Sequence, residues 1–220
     1  MQGGNTPQLV IDGAGRFYFS SGNLVTTGTN GGRYLVRFNR QTRVHDTLAI
    51  MPQPIAGIAL SNLDTTLYFT ASDTIWKIAL PSGRAVRVFS GFQYPTLLQL
   101  QKRTGRIYAI ETGGDNQRAS AIAYYDPATG MRTKAAGGSQ TPGNGNGYVN
   151  DTANDVRFNF PRRQDPIRDA CALVLNDTED TLYIGDTYNR CIRKLAIASA
   201  IVTNHTGSLP DSIRSGYRDG

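Results

Sequence analysis

The chain has 220 residues, long enough for one or two domains and a sizeable buried core. Its formal charge of +6 comes from 23 basic residues, nearly all Arg, against 17 acidic ones, spread along the length without a basic block. No run of about 18 apolar residues points to a helical membrane span, no charged head followed by an apolar stretch reads as a leader, and two cysteines, Cys171 and Cys191, are too few for a disulfide-built scaffold.

In chain order, the first apolar stretch is residues 9–11, followed by the turn Asp12-Gly13-Ala14-Gly15 and the triplet Phe17-Tyr18-Phe19. A third strand at 34–38, a turn at 39–42 and a more polar strand at 44–48 complete a unit. The same order returns from residue 55: a strand at 55–60, a turn at 61–64, Leu67-Tyr68-Phe69, a strand at 74–80, Pro81-Ser82-Gly83 and a strand at 85–89. It returns again with strands at 96–100, Ile107-Tyr108-Ala109, 120–125 and 131–134, and finally with 170–175, Leu182-Tyr183-Ile184, 191–195 and 201–203. Aromatic and β-branched residues at alternating positions suit a buried pleated strand. Gly, Asn and Asp supply the positive-φ or side-chain-capped turns between strands.

We label the strands of each unit A to D. Four short strands per repeat, dense turn residues and no helical periodicity predict an all-β protein made of β-propeller blades. Blades are expected at about 8–50, 55–90, 94–137 and 166–206 within one partial domain spanning 1–220, with an insertion loop at 137–169. Polarity rising from A to D places A at the axis and D at the outer edge. The run Gly143-Asn144-Gly145-Asn146-Gly147 reads as a mobile loop, because no strand, Lys-Ser/Thr pair or helix frames it as a phosphate cradle.

From Gly143 to Gly207 the sequence resembles an NHL repeat. A Gly-rich lead precedes Asp151 and Val156-Arg157-Phe158-Asn159-Phe160-Pro161, and the signature runs from Leu182-Tyr183-Ile184-Gly185-Asp186-Thr187-Tyr188-Asn189-Arg190 through Cys191-Ile192-Arg193-Lys194-Leu195. The other repeats keep the strand pattern but lack this signature, with Ser72-Asp73 in the second and Glu111-Thr112-Gly113-Gly114-Asp115-Asn116 in the third. Nine residues, 162–170, separate Pro161 from strand A where the family runs on directly. The resemblance implies that Asp186, Asn189, Arg190 and Arg193 brace the B–C turn rather than form a catalytic cluster. It also implies a six-bladed ring, of which four blades are counted, leaving an incomplete, open arc. The last residues, Ser215-Gly216-Tyr217-Arg218-Asp219-Gly220, echo the lead into the fourth blade, so 207–220 reads as the start of a further repeat.

Fold alone does not give function. The leading expectation is a non-catalytic interaction module that presents its D–A and B–C loops to a macromolecular partner, most readily a protein, with no cofactor and no metal. The candidate face is Asn116, Gln117, Arg118, Phe160, Arg162, Arg163, Tyr188 and Arg190. One alternative is a metal-dependent hydrolase or lyase of the six-bladed lactonase-like type. A catalytic zinc needs three or more close ligands, whereas the only histidines, His45 and His205, fall on or after outer strands, and strand A offers few carboxylates for calcium. A further alternative is RNA binding through a basic face of Arg118, Arg162, Arg163, Arg168 and Arg190. The sequons at Asn150, Asn176 and Asn204 lean toward an extracellular or cell-surface setting. Cys171 and Cys191, opening strands A and C on either side of B, are expected as free thiols. Exposed flanks at the ends of an open arc are expected to self-associate.

Overall fold

The computed structural model describes residues 8–21, 32–112, 120–138, 147–152, 155–160 and 171–207. Within these the chain is all-β, apart from one 3-10 turn at Thr187–Asn189. Four sheets follow one another, each of four consecutive antiparallel strands. The first blade is β1 (Val10–Ile11), β2 (Arg16–Ser21), β3 (Tyr34–Asn39) and β4 (Val44–Ile50). The second is β5 (Ile55–Leu60), β6 (Thr66–Ala71), β7 (Thr74–Ala79) and β8 (Val86–Ser90). The third is β9 (Pro95–Leu100), β10 (Ile107–Glu111), β11 (Ala121–Asp126) and β12 (Met131–Gly137), and the fourth β13 (Leu173–Leu175), β14 (Thr181–Asp186), β15 (Cys191–Ala196) and β16 (Ile201–Gly207). No described helix is long and apolar enough to cross a membrane, which leaves β-barrel spans unaddressed.

The first strand of each blade is the inner one. β1 and β2 pack on β5, β5 and β6 on β9, and β9 on β13. No packing of that extent joins the described strands of the fourth blade to the first, so the blades form an open arc. Gln8 stitches two inner strands together: its amide donates to the Leu98 carbonyl at 2.9 Å, and its oxygen accepts from the N–H groups of Ile58 and Leu98. Gly57 makes the same seam close, since a Cβ there would lie 2.8 Å from the Leu98 nitrogen.

The core lies between blades rather than inside them, because a single sheet cannot bury its own faces. One cluster joins Tyr18 and Leu35 of the first blade to Ile58, Leu67 and Phe69 of the second. Another joins Ile75 to Leu98, Ile107 and Ala109, and a third joins Tyr108, Ile110 and Ile122 to Leu182, Ile184, Leu195 and Val202. Each fully buried large side chain is worth roughly 1.5–3 kcal/mol of transfer free energy. The alternation of strand B sets the direction. Leu67 and Phe69 face the preceding blade and Tyr68 the following one, while Ile107 and Ala109 face back and Tyr108 forward. Among the described residues, strand B of the first blade enters an inter-blade cluster only through Tyr18, and strand B of the fourth only through Leu182 and Ile184.

A β-bulge recurs at the same place in all four C–D strand pairs, at Leu35/Val36, Ile75/Trp76, Ile122/Ala123 and Ile192/Arg193. Bulges add local twist and bend the strand, so the outer strand of every blade turns away from its sheet at one level. Turn-to-turn contacts also cross blade boundaries. The Asp64 carboxylate accepts the Gly13 N–H at 2.6 Å, and Glu179 accepts the N–H groups of Lys102 and Arg103 at 2.9 and 2.8 Å. Both acids occupy the positive-φ position of their own A–B turn.

The segment 147–160 departs from the expected loop. Gly143 to Asn146 lie outside the described residues, but Val149 bridges Arg157, Thr152 bridges Ile201, and the Val202 N–H donates to the Asp151 carbonyl. Val156, Phe158 and Phe160 are fully buried. This connection is therefore a plug that fills the space between the third and fourth blades.

Candidate functional site

The best-defined polar assembly sits where that plug meets the B–C turn of the fourth blade. Asp186 ends β14, the 3-10 turn follows, and Arg190 reverses the chain in the left-handed region at φ 55°. One Asp186 oxygen accepts the Asn159 N–H at 2.8 Å. The other accepts from the Asn189 amide at 2.8 Å and the Arg193 guanidinium at 3.0 Å. Asn189 also donates to the Gly147 carbonyl, and Arg193 to the carbonyls of Arg157 and Val149. The guanidinium lies over the rings of Tyr148 and Phe158, at 4.5 and 5.4 Å from their centroids.

Arg193 and Asp186 are both 0% exposed. A buried charge pair persists only when hydrogen bonds replace its hydration, and three backbone groups of the plug do so here. Burial pushes the Asp186 carboxyl above its ordinary value, against the pull of Asn189, the Asn159 N–H and Arg193. Nothing in this network faces solvent, so its chemistry is bracing. The same burial, with the neighbouring Asp186 charge, raises the Cys191 thiol to about 11. Cys171 and Cys191 are both free thiols.

A second brace, which the sequence did not reveal, stands in the third blade. Glu111 ends β10 at the position corresponding to Asp186, is 1% exposed, and accepts the Gln93 N–H at 2.8 Å. Arg132, on β12, holds its carboxylate from both sides and lies over Phe92. Thus the third blade repeats the device of the fourth, a carboxylate at the end of strand B receiving the N–H of the incoming connection and an Arg stacked on its aromatic residue. The Arg comes from strand D instead of strand C, which hides the equivalence in a motif comparison.

Of the residues expected on the recognition face, Asn116, Gln117, Arg118, Arg162 and Arg163 lie outside the described residues, as does Arg168. Tyr188 and Arg190 are brought together on the exposed side of the braced turn, with Tyr188 39% exposed and its N–H held by the Asn159 carbonyl. Phe160 is not on that surface. It is fully buried, stacked 5.0 Å from Phe158, and its N–H donates to the Ser120 hydroxyl, because the plug turns its alternate apolar side chains inward. His45 is exposed on β4, and His205 sits edge-on to Tyr183 on β16. Among the described residues no group of three or more His, Cys, Asp or Glu side chains is gathered to hold a metal ion. At the Asn176 sequon, the side-chain amide is taken up by Thr178 and Asp180 within its own turn.

No family model matches the chain, and no curated protein matches it. Among solved structures it is similar to a Bacteroides thetaiotaomicron structural-genomics protein of unknown function, with TM-score 0.64 and 14% identity over 93% of this chain and 48% of that one. It is similar also to an auxiliary nutrient binding protein from Bacteroides ovatus, with TM-score 0.63 and 15% identity over 90% and 46% of the two chains. A third likeness is to an auxiliary nutrient binding protein from Bacteroides thetaiotaomicron, with TM-score 0.57 and 16% identity over 92% and 57%. The chain thus spans about half the length of these neighbours, and at such identities the likeness shows a shared blade fold.

Proposed function

We propose that this chain is part of an NHL-type propeller acting as a non-catalytic recognition module, with Tyr188 and Arg190 as described members of its macromolecule-binding face. The observation that carries the reading is the buried Asp186–Asn189–Arg193 brace. It immobilises a short turn whose outward side chains are an aromatic and a cation, the residue types that dominate binding energy at protein interfaces. A loop pre-ordered by buried charge pays less entropy on binding. The nutrient-binding description of two structural neighbours is compatible with a binding role.

The test is a binding screen of the chain against arrays of proteins, glycans and homopolymeric RNA, followed by variants. Any ligand found should lose at least about tenfold in affinity, ~1.4 kcal/mol, on Tyr188→Ala and on Arg190→Ser. It should be unaffected by Arg103→Ser on the opposite hairpins. Equal loss at Arg103, or none at Tyr188 and Arg190, removes this face from consideration.

We also propose that the open flanks pair with a second copy. The first blade presents Leu9, Ile11, Phe17 and Phe19, and the fourth presents Val174, Tyr183 and Ile192; Ile11 and Val174 are each 54% exposed. Those sets repeat the forward Tyr and backward apolar pair that meet at each internal blade boundary, so the flank of one copy is complementary to the other flank of the next.

A further inference from the structure

Folding gathers the chain's positive charge at one place. The outer strands and C–D turns of the first and second blades, residues 37–47 and 77–87, hold six cations against the single carboxylate of Asp46, in a chain whose formal charge is +6. The two blades are neighbours, and the Arg37 guanidinium spans them, donating to the Pro81 carbonyl at 3.0 Å and to Asp46 at 2.7 Å. That contact uses up the one acid. Arg40, Arg43, Lys77, Arg84 and Arg87 are all exposed, and among the described residues none of these five side chains has an ion-pair or hydrogen-bond partner. The other two blades differ. Their Arg132 and Arg193 are taken up by the braces, and their A–B turns set Glu179 and Asp180 beside Arg103.

Apolar side chains share this end of the two blades. Leu63, on the A–B turn of the second blade, is 80% exposed, and Val44 and Val86, which open β4 and β8, are each 53% exposed. Uncompensated cations call for a polyanion, and the neighbouring side chains choose which kind. Single-stranded nucleic acid is held on aromatic platforms, but the exposed aromatics Tyr94 and Tyr188 both lie at the opposite end, on the D–A and B–C connections. Aliphatic tips among cations suit a lipid headgroup layer, where the tips enter the acyl boundary and each nearby cation adds about fivefold to partitioning onto an anionic leaflet. We propose that this end of the first two blades, through Arg43, Arg84, Arg87 and Leu63, docks on an anionic phospholipid surface. The turn carrying Tyr188 and Arg190 is at the other end of its blade, so docking leaves it facing away from the bilayer.

The test is flotation with vesicles of phosphatidylcholine alone and of phosphatidylcholine with about 30% phosphatidylglycerol. Binding is expected only to the anionic vesicles, and it should weaken at least about tenfold between ~0.05 and ~0.3 M salt as the Debye length shortens. The double variant Arg43→Ser/Arg84→Ser should weaken it by about twentyfold, two cations at about fivefold each. Leu63→Ser should weaken it several-fold, whereas Lys194→Ser on the fourth blade should leave it unchanged. All these positions are exposed, and circular dichroism checks that each variant is folded. Poly(U) and polyglutamate, which offer charge without an apolar layer, should bind at least about tenfold more weakly than the anionic vesicles and be indifferent to Leu63→Ser. The proposal is overturned by no binding to anionic vesicles, by equal binding to neutral ones, by a double variant that binds like the parent, or by poly(U) or polyglutamate binding as tightly as the vesicles.

Discussion

Replacing Asp186 with Asn tests whether the brace is an electrostatic unit. The amide keeps one oxygen, for either the Asn159 N–H or the Arg193 guanidinium, turns an NH2 donor toward the other, and leaves a guanidinium that is 0% exposed without its counter-charge. Removing one partner of a buried ion pair costs roughly 3–5 kcal/mol. The retained acceptor and the carbonyls of Val149 and Arg157 put Asp186→Asn at the lower end, about 3 kcal/mol. With a urea slope of about 2 kcal/mol/M, the unfolding midpoint should fall by about 1.5 M. Arg193→Met should cost less and depend on pH, because the stranded carboxyl can take up a proton. The folded Asp186 value is already raised, so folding favours the protonated form; in Arg193→Met that stability is present at low pH and lost as pH rises through the folded value. The double variant should be markedly more stable than the sum of the single losses predicts. Urea unfolding followed by circular dichroism decides it. A loss below about 1 kcal/mol for Asp186→Asn, or strict additivity in the double variant, would refute the reasoning.

Asp12 should respond to pH with the opposite sign. Burial raises its carboxyl, but the N–H and guanidinium of Arg16 and the Tyr18 hydroxyl outweigh that and hold it below its ordinary value. Its contribution to stability is therefore present above the unfolded value of about 3.9 and lost as pH falls through the folded one, so Asp12→Asn should flatten the acid limb of a stability–pH curve; an unchanged limb would exclude Asp12 as its source. Cys191, raised to about 11 and buried, should resist iodoacetamide at pH 8 in the native state, with half-buried Cys171 reacting first; mass spectrometry of the two peptides reads the order, and equal rates would show the thiol to be accessible. If flanks pair head to tail, sedimentation should show concentration-dependent association that Ile11→Lys and Ile192→Lys each abolish, while a monomer at every concentration tested would dismiss the pairing.

The blade plan was legible because its signals are local. Strand B announces itself through a Tyr between two apolar residues, and turns through Gly, Asn and Asp at fixed offsets. Period-two alternation then explains why Tyr18, Tyr68 and Tyr108 pack toward the next blade, Tyr18 and Tyr108 fully buried and Tyr68 half-buried. The recurring C–D bulge was not legible. It falls at Leu35/Val36 and Ile122/Ala123, where ordinary strand residues occupy it, because a bulge of this kind is set by how the outer strand twists against its neighbour. Likewise the burial of Val156, Phe158 and Phe160 depends on the gap between two blades, which neither blade's sequence encodes alone.

The same distinction explains the two braces. In the fourth blade all the side chains that make the network fall within eight residues, 186–193, so the motif shows in the sequence. In the third, Glu111 and Arg132 are 21 residues apart and meet only because β10, β11 and β12 lie side by side. What the two share is a job rather than a motif: each incoming connection presents a backbone N–H, of Gln93 or of Asn159, that would be stranded near the blade ends. A stranded buried donor costs about 1–3 kcal/mol, and a carboxylate at the end of strand B is the shortest route to satisfying it. That carboxylate then needs a cation, and the connection's own aromatic residue, Phe92 or Phe158, gives the cation an apolar face to lie on. The requirement fixes three roles but not the strand that supplies the Arg, so repeats can diverge in sequence while satisfying the same backbone N–H of the incoming connection.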